Sequence, residues 1–188
     1  MDRAKPRAKH EIESARLRLV ALDPAFLRAS LDGRRGDAER LLGARLPEPW
    51  PQLPDVLRMR LAQIERDPEL APWLTRLIVE TAAWQLVGVA GFHGPPGGEW
   101  LRELAPHGVE LGYTVFEPWR RRGIAREACA ALIDWATARG VRELVLSIGP
   151  ENDESAALAR QLGFAQVGTW RHETRGLEHV YRLRVAQR

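Results

Sequence analysis

The chain has 188 residues, 45% of them hydrophobic and 28% charged, which is the size and composition of one globular domain with its own core. Its 28 basic and 25 acidic residues leave a net charge of +3, too small to favour nucleic acid as a partner. A single cysteine, Cys129, excludes an internal disulfide. Because there is neither a signal-peptide pattern nor a run of about 20 apolar residues, we expect a soluble, cytoplasmic protein with no membrane partner.

The first half of the chain predicts a tail, a strand and a set of helices. Residues 1–13 are basic and have little to bury, so we expect a flexible tail followed by a single domain over residues 14–188. Alternation of polar and apolar residues predicts a strand near 16–22, and Asp23-Pro24 is typical of a helix start. Apolar spacing and the positions of the prolines predict helices at about 24–32, 36–43 and 53–66.

The second half of the chain alternates strands with helices. Strands are predicted at about 73–81, 84–93, 109–116, 143–148, 164–171 and 177–185, and helices at about 124–138 and 152–162. A strand, a crossover helix and a second strand over 109–148 imply a parallel pair in the middle of the sheet. The hairpin-like strands on either side imply antiparallel flanks. We therefore expect a mixed, mostly antiparallel sheet in a fold of the α+β type.

The segment with the clearest chemistry joins a strand to a helix through a basic turn that contains a glycine. It spans residues 120–125 and has the sequence RRRGIA. The first turn of a helix leaves backbone N–H groups without partners and carries the positive end of the helix dipole, so it favours an anion such as a diphosphate. Gly123 has no side chain to block that approach, and the arginines add positive charge. A basic helix start with a glycine that serves packing is the simpler alternative.

This segment resembles the acyl-CoA pyrophosphate loop of the GNAT superfamily, Arg/Gln-x-x-Gly-x-Gly/Ala, in the form Arg120-x-x-Gly123-x-Ala125. Two further segments resemble the same family, ELGY at 110–113 and GPENDES at 149–155. The three motifs occur in the family's order, and the predicted strands outside them agree with it. Each motif alone has modest specificity, and together they strongly indicate the GNAT fold.

The resemblance implies that the central parallel pair is splayed and admits the pantetheine arm of acetyl-CoA. Backbone groups near Val115 would bind that arm as a neighbouring strand would, and Asn152 would hydrogen-bond it near its exit. Asn152 is equally suited to cap the helix that follows it. The residues implied to bind the cofactor are Val115, Arg120, Arg121, Arg122, Gly123, Ile124, Ala125, Asn152 and Ser155.

Acyl transfer to an amine needs a base that removes a proton from nitrogen, and the CoA thiolate then needs a proton. The tyrosine that supplies this proton in many GNAT proteins would stand at Ala159, so the usual acid is missing. Ser155 and Glu110 match instead the pattern of the ribosomal-protein N-terminal acetyltransferase branch, which implies Glu110 as the base and Ser155 as the acid. Tyr181 and water are the alternative acids. The non-catalytic alternatives are a solvated strand residue for Glu110 and an ordinary first-turn helix residue for Ser155.

The resemblance therefore implies an N-acetyltransferase that moves acetyl from acetyl-CoA to a primary amine, either a protein N-terminus or a small molecule. A non-catalytic acyl-CoA sensor is the main alternative, because the usual tyrosine is absent, and a nucleic-acid binder that uses Arg120–Arg122 is a weaker one. No histidine spacing indicates a metal site, so we expect no metal cofactor. The sequence leaves the oligomeric state open, a homodimer included.

Overall fold

A computed structural model describes residues 11–172 and 176–186 of the chain. The strands are β1 (Ile12–Glu13), β2 (Leu17–Ala21), β3 (Thr75–Glu80), β4 (Gln85–Phe92), β5 (Val109–Val115), β6 (Glu143–Ile148), β7 (Ala165–His172) and β8 (Gly176–Arg184). The helices are α1 (Pro24–Leu31), α2 (Arg35–Leu42), α3 (Pro54–Arg66), α4 (Ile124–Thr137) and α5 (Asp153–Gln161). Short 3₁₀ turns lie at Pro68–Trp73, Glu99–Leu101 and Glu117–Trp119.

The strands form one sheet in the order β1-β2-β3-β4-β5-β6-β8-β7. Every neighbouring pair is antiparallel except β5 and β6, which are parallel and joined through the helix α4. Their register covers only two residue pairs, Val109 with Leu144 and Glu110 with Val145, although both strands continue beyond them. The sheet is therefore split where β5 and β6 diverge, and the predicted mixed, splayed fold is confirmed.

Helices cover both faces of the sheet and define two cores. On one face, α4 and α5 pack on the middle strands. That core includes Phe92, Leu111, Ala128, Leu132, Leu146 and Ala159. On the other face, α1 and α3 pack on β3 and β4. That core includes Phe26, Leu57, Ile64, Leu77, Leu86 and Val89. Because β3 and β4 are covered on both sides, nearly all of their residues are buried.

Local sequence accounts for the helix boundaries. Asp23 caps α1 with a carboxylate that accepts from the N–H of Ala25 at 2.8 Å, and Pro24 occupies the first helical position. The helix α2 ends at Gly43, whose φ of 71° is left-handed. The helix α4 begins directly after Gly123, whose φ is 75°. The predicted elements are all present, with ends that differ by one or two residues.

Ordered structure begins earlier than the predicted domain boundary at residue 14. Ile12 and Glu13 form β1, which pairs with Leu19 and Arg18 of β2, and Ile12 is 7% exposed. This two-residue strand was not predicted because it is too short to give an alternating pattern. The rest of the predicted tail, residues 1–10, lies outside the described residues. Within the described residues, every helix is too short or too polar to cross a membrane.

Candidate functional site

A cleft of about 850 Å³ opens where β5 and β6 diverge. The residues that line it come mainly from α3, β5, β6, the start of α5 and the end of β7, with others from β8, from the end of β4 and from the 3₁₀ turn at Glu99–Leu101. They include Arg60, His93, Trp100, Glu110, Gly112, Tyr113, Ser147, Asn152, Ser155, Trp170 and Glu178. The cleft thus passes between the two cores and is reached from both faces of the sheet.

The main chain of β5 offers hydrogen-bonding groups to this opening. Glu110 and Phe116 hydrogen-bond to β4 through their backbones, at 3.0 and 2.9 Å. Because such bonds alternate along an antiparallel strand, the N–H and C=O groups of Leu111, Tyr113 and Val115 point to the opposite edge, where β6 has moved away. Tyr113 and the N–H of Val115 can pair here with an extended ligand, whereas the carbonyl of Val115, a predicted cofactor residue, already accepts from Arg120.

The loop between β5 and α4 has the conformation of an anion site. Arg121 and Gly123 are left-handed, with φ of 60° and 75°. Such alternation turns successive backbone N–H groups to one side. No side chain among the described residues caps α4, so the N–H groups of its first turn, which includes Ile124 and Ala125, lack helical partners and carry the positive dipole end. An added Cβ on Gly123 would meet only the Arg16 guanidinium, at 3.5 Å.

The three arginines of this loop differ in their contacts. Arg120 donates from Nε to the carbonyl of Val115 at 3.0 Å, which folds the loop back on β5. Arg121 forms an exposed ion pair with Glu154 of α5 at 2.9 Å. The carbonyl of Arg122 accepts from the guanidinium of Arg16 at 3.2 Å. Arg120 and Arg121 thus shape the loop through their side chains, and Arg121 links it to the start of α5.

The helix α5 brings two predicted residues to the same face of the sheet as the loop. Asn152 caps α5, because its Oδ1 accepts from the N–H of Ser155 at 3.0 Å. The side chain of Ser155 lies beside the phenol of Tyr113 in β5. Burial raises the pKa of Tyr113, and the contact with Ser155 partly offsets that rise. The fold therefore places Ser155 next to a tyrosine hydroxyl that the sequence did not single out.

The predicted base Glu110 lies on the other face of the sheet and is only 5% exposed. Its Oε2 accepts from the indole N–H of Trp100 at 2.9 Å and lies 2.7 Å from Nδ1 of His93. The interpretation of Glu110 as a solvated strand residue is therefore wrong. A buried carboxylate that accepts from an indole and an imidazole is held in one orientation at the floor of the cleft.

A buried arginine fixes the position of His93. Arg60 of α3 is 4% exposed and donates from Nη1 to the carbonyl of His93 at 3.3 Å and to Gln63 Oε1 at 2.8 Å. Its Nε donates to the hydroxyl of Thr75 at 3.1 Å. Burial lowers the pKa of Arg60, and the nearby Glu110 opposes that effect. The Arg60 guanidinium thus holds the chain in place at the end of β4.

Tyr181 and Cys129 are both buried away from the cleft. Tyr181, the alternative acid, is 2% exposed in the core between β6 and β7, and it does not line the cleft. Cys129 is fully buried in α4, and burial raises the pKa of its thiol to about 12, which makes it unreactive. Among the described residues, no group of three or more His, Cys, Asp or Glu side chains is arranged to hold a metal ion.

Sequence reasoning missed His93, Trp100 and Tyr113 as members of the site. His93 directly faces Glu110 in the register of the β4–β5 pair. The sequence does not define this register, because a long loop joins the two strands. Trp100 comes from a 3₁₀ turn within that loop, and no periodic pattern predicts its position. Tyr113 was visible in the ELGY motif, but its partner Ser155 is 42 residues away along the chain and meets it only in the fold.

Comparison with known proteins agrees with this geometry. The family model "Acetyltransferase (GNAT) domain" matches residues 16–165. A stretch of 55 residues, 29% of this chain, is 36% identical to the aminoglycoside N(6')-acetyltransferase type 1 of Salmonella typhimurium, and it spans 38% of that protein.

Solved structures share the fold over nearly the whole chain. An acetyltransferase from Agrobacterium tumefaciens matches with 24% identity and a TM-score of 0.62, over 98% of this chain and 100% of that one. The ribosomal-protein-S5-alanine acetyltransferase of Vibrio fischeri matches with 14% identity and a TM-score of 0.61, over 93% and 96%. A microcin C7 self-immunity acetyltransferase, solved with acetyl-CoA and AMP, matches with 14% identity and a TM-score of 0.61, over 92% and 94%. Because the family model covers most of its length, the chain belongs to the GNAT acetyltransferase family.

Proposed function

We propose that this protein transfers acetyl from acetyl-CoA to a primary amine. The observation that carries the proposal is the arrangement of two different sites on opposite faces of one split sheet. The anion-binding loop, Asn152 and Ser155 lie on the α4–α5 face, and Glu110 lies on the α3 face. The gap between β5 and β6 connects them, so a thioester placed in the gap would have a base on one side and a proton donor on the other.

The α4–α5 face fits acetyl-CoA. The diphosphate would lie on the N–H groups of the loop at 121–125, and the arginines there would neutralise it. The pantetheine arm would pair with the edge of β5 at Tyr113 and at the N–H of Val115, as β6 would have done had it continued beside β5. The Asn152 amide nitrogen would donate to the arm, since its Oδ1 is already used as the helix cap. A structurally similar acetyltransferase was solved with acetyl-CoA, which supports this choice of donor.

The α3 face fits an amine acceptor. Two buried carboxylates, Glu110 and Glu178, line the cleft there and favour a cationic amine, with 5% and 6% of their surface exposed. The rings of Trp100 and Trp170, with centroids 5.8 Å apart, form one wall. Similar proteins include an aminoglycoside N(6')-acetyltransferase and a ribosomal-protein-S5-alanine acetyltransferase. Both a small amine and a protein N-terminus therefore remain as acceptors.

The chemistry follows from these positions. The amine enters as an ammonium ion and must lose one proton before its lone pair can attack the thioester carbonyl, and Glu110 is at the centre of the group that accepts it. The C–N bond forms, the tetrahedral adduct collapses, and the C–S bond breaks. The thiolate then receives a proton on the opposite face, where Ser155 and Tyr113 supply hydroxyl groups.

A thiol-release assay over a panel of amines tests the proposal. We expect acetyl-CoA consumption that depends on an added amine, with a mass increase of one acetyl group on that amine. A protein that binds acetyl-CoA but acetylates none of a broad panel of small amines and N-terminal peptides would be the non-catalytic sensor instead. A protein that ignores acetyl-CoA and binds nucleic acid with strong salt dependence would be the weaker alternative.

A further inference from the structure

We propose that His93 Nε2, and not Glu110 itself, is the atom that takes the proton from the acceptor amine, with Glu110 as the residue that positions and polarises the imidazole. The inference rests on the proposed acetyl transfer and assigns the proton acceptor within it. His93 follows β4 and faces Glu110 across the β4–β5 pair. Its ring is 39% exposed, whereas the Glu110 side chain is 6% exposed. The imidazole is thus the more accessible basic group.

The hydrogen bonds around Glu110 define the tautomer of His93. Trp100 Nε1 is a donor only, so the carboxylate oxygen that it contacts is an acceptor. The same oxygen lies 2.7 Å from His93 Nδ1, and an ionised carboxylate has no proton to donate, so Nδ1 carries the proton when Glu110 is ionised. In the neutral ring the other nitrogen, Nε2, is then left with a lone pair. A carboxylate behind an imidazole in this way fixes the ring orientation and the direction of the lone pair on the far nitrogen.

The position of Nε2 is also defined by the strand beside it. A Cβ added to Gly112 would lie 2.7 Å from His93 Nε2, so the ring extends over Gly112 towards the part of β5 that faces the gap. The glycine is required for this close approach, because any side chain at that position would meet the ring. Glu110 and Gly112 lie two residues apart on β5 and share one face of the sheet. His93 Nε2 therefore lies nearer to the gap between β5 and β6, where the thioester would lie, than the Glu110 carboxylate does.

The backbone of His93 is held as firmly as its ring. Its N–H donates to the carbonyl of Glu110 at 3.0 Å, and its carbonyl accepts from Arg60 at 3.3 Å. The charged or titratable groups that face it are Arg60 from α3 and Glu110 from β5, with Arg171, His172 and Glu178 on the wall formed by β7 and β8. A base held at both its main chain and its ring needs little reorganisation when the amine binds.

The residues of the cleft and solvent account for both protons that leave the amine. His93 Nε2 takes one proton from the ammonium, and the freed lone pair forms the C–N bond. The C–S bond breaks as the adduct collapses. The second proton then passes from nitrogen to the thiolate through the Ser155 hydroxyl or through water. The His93 imidazolium releases its proton to solvent at its exposed edge.

Three variants test the assignment, with thiol release and acetyl-CoA affinity measured for each. The His93→Ala variant is expected to lose about 10²–10⁴-fold in kcat while keeping its acetyl-CoA affinity, and added imidazole should restore part of the loss. The His93→Asn variant keeps a donor near the Nδ1 position but has no atom at Nε2, so it should be as slow as His93→Ala. The matched control His107→Ala removes an exposed histidine outside the cleft and should behave as wild type.

The outcomes separate this inference from the proposed function. If His93→Asn keeps near-normal kcat, the histidine only holds Glu110 in place, and the inference is wrong while acetyl transfer stands. A wild-type protein that does not bind acetyl-CoA would instead overturn the proposed function. A measurement without turnover completes the test: nitrogen NMR of the histidine ring should find the neutral tautomer protonated on Nδ1. A proton on Nε2 would overturn the inference whatever the kinetics show.

Discussion

Ser155 and Tyr113 form a pair of hydroxyl groups on the cofactor face of the cleft. Tyr113 is half-buried on β5, and burial raises the pKa of its phenol. Ser155 lies in the first turn of α5, and only its backbone N–H takes part in the cap made by Asn152. The serine side chain is therefore not needed for the helix cap and is available to relay a proton between Tyr113 and a ligand sulfur.

We expect Ser155→Ala to slow kcat by at least ~10-fold and to change the free energy of unfolding by less than ~1 kcal/mol, because the Asn152 cap survives. Tyr113→Phe should slow kcat in the same way, and the double variant should be no slower than the worse single one if the two act as a relay. Tyr181→Phe is the matched control, since it alters the chain's only other tyrosine, which is buried away from the cleft. Wild-type rates in both Ser155→Ala and Tyr113→Phe would mean that water delivers the proton.

At the level of single residues, the sequence predicts what lies within a motif and misses what the fold brings to it. Glu110, Gly123, Asn152 and Ser155 were found because their neighbours along the chain identify them. His93 has no such neighbours, and its role depends on which residue faces it across a hairpin. The burial of Glu110 could not be predicted either, because the indole that covers it comes from a loop turn.

Among the elements, the loop before α4 has the most direct link to ligand binding. Its two left-handed residues and the uncapped start of α4 have the geometry on which the proposed diphosphate site rests. A side chain at Gly123 would act in two ways, because it would strain a left-handed backbone and would fill the approach to the amides. The two effects need to be separated by experiment.

We expect Gly123→Val to remove most of the thermal stabilisation by acetyl-CoA. Gly140→Val is the matched control, since Gly140 also follows a left-handed path, with φ of 89°, and an added Cβ there meets nothing within 4 Å. Both variants should lose stability by about 1–2 kcal/mol or more through backbone strain. Only Gly123→Val should lose the ligand-induced rise in Tm, measured against each variant's own ligand-free value. An equal rise in both would disprove the assignment of the pyrophosphate loop.

A carboxylate ties the first turn of α4 to the N-terminal strands. Glu127 accepts from the hydroxyl of Ser14 at 2.7 Å and from the N–H and Nε of Arg16, both at 2.8 Å. Burial alone would raise the pKa of Glu127, but the hydrogen bonds from Ser14 and Arg16 outweigh it and hold the pKa below its ordinary value. The carboxylate therefore stabilises the fold above its unfolded-state pKa, and that contribution disappears as the pH falls through the lower folded-state pKa.

We expect Glu127→Gln to cost about 1–3 kcal/mol of unfolding free energy near neutral pH, because charge-assisted hydrogen bonds are lost. The cost should shrink as the pH falls below about 4.5, the ordinary pKa, since the wild-type carboxylate then takes up a proton as well. Urea unfolding at several pH values measures the difference. The exposed Glu103→Gln variant is the control and should show little change across the range.

The sequence predicted the elements well where capping and periodicity agree. The caps at Asp23 and Asn152 and the glycine at 123 correspond to real helix ends. The two-residue strand β1 was missed, because its existence depends on pairing with β2 and not on its own composition. The strand β7 was predicted correctly, although it is the edge strand of the sheet and nearly all of its residues are exposed.

For the whole molecule, the split between β5 and β6 divides the sheet into a five-stranded part and a three-stranded part. Only two residue pairs connect them in register, while α4 packs on β4 and β5 of the larger part and α5 packs on β6 of the smaller part. A ligand strand inserted there would restore hydrogen bonds along the free edges of both parts. Acetyl-CoA should therefore stabilise the sheet as well as occupy the cleft.

We expect saturating acetyl-CoA to raise the free energy of unfolding by about 2.7 kcal/mol at 100 times its Kd, because only the native state binds it. Hydrogen exchange should slow most at Tyr113 and Val115 of β5 and at residues 146–148 of β6. Free coenzyme A should give a similar pattern, and adenosine alone should not, since it lacks the arm. Protection that appears only at the loop before α4 would contradict insertion of the arm between the strands.

The position of β8 in the sheet has a consequence for how the chain folds during its synthesis. This strand is made last of the eight, yet it lies between β6 and β7 and pairs with both. When the ribosome has released the chain only as far as residue 172, β7 has no partner in the final sheet and β6 has only its short contact with β5. Residues 143–172 therefore cannot complete their part of the sheet until β8 has been synthesised. We expect the nascent protein to form its cleft in one late step, after the five-stranded part has formed.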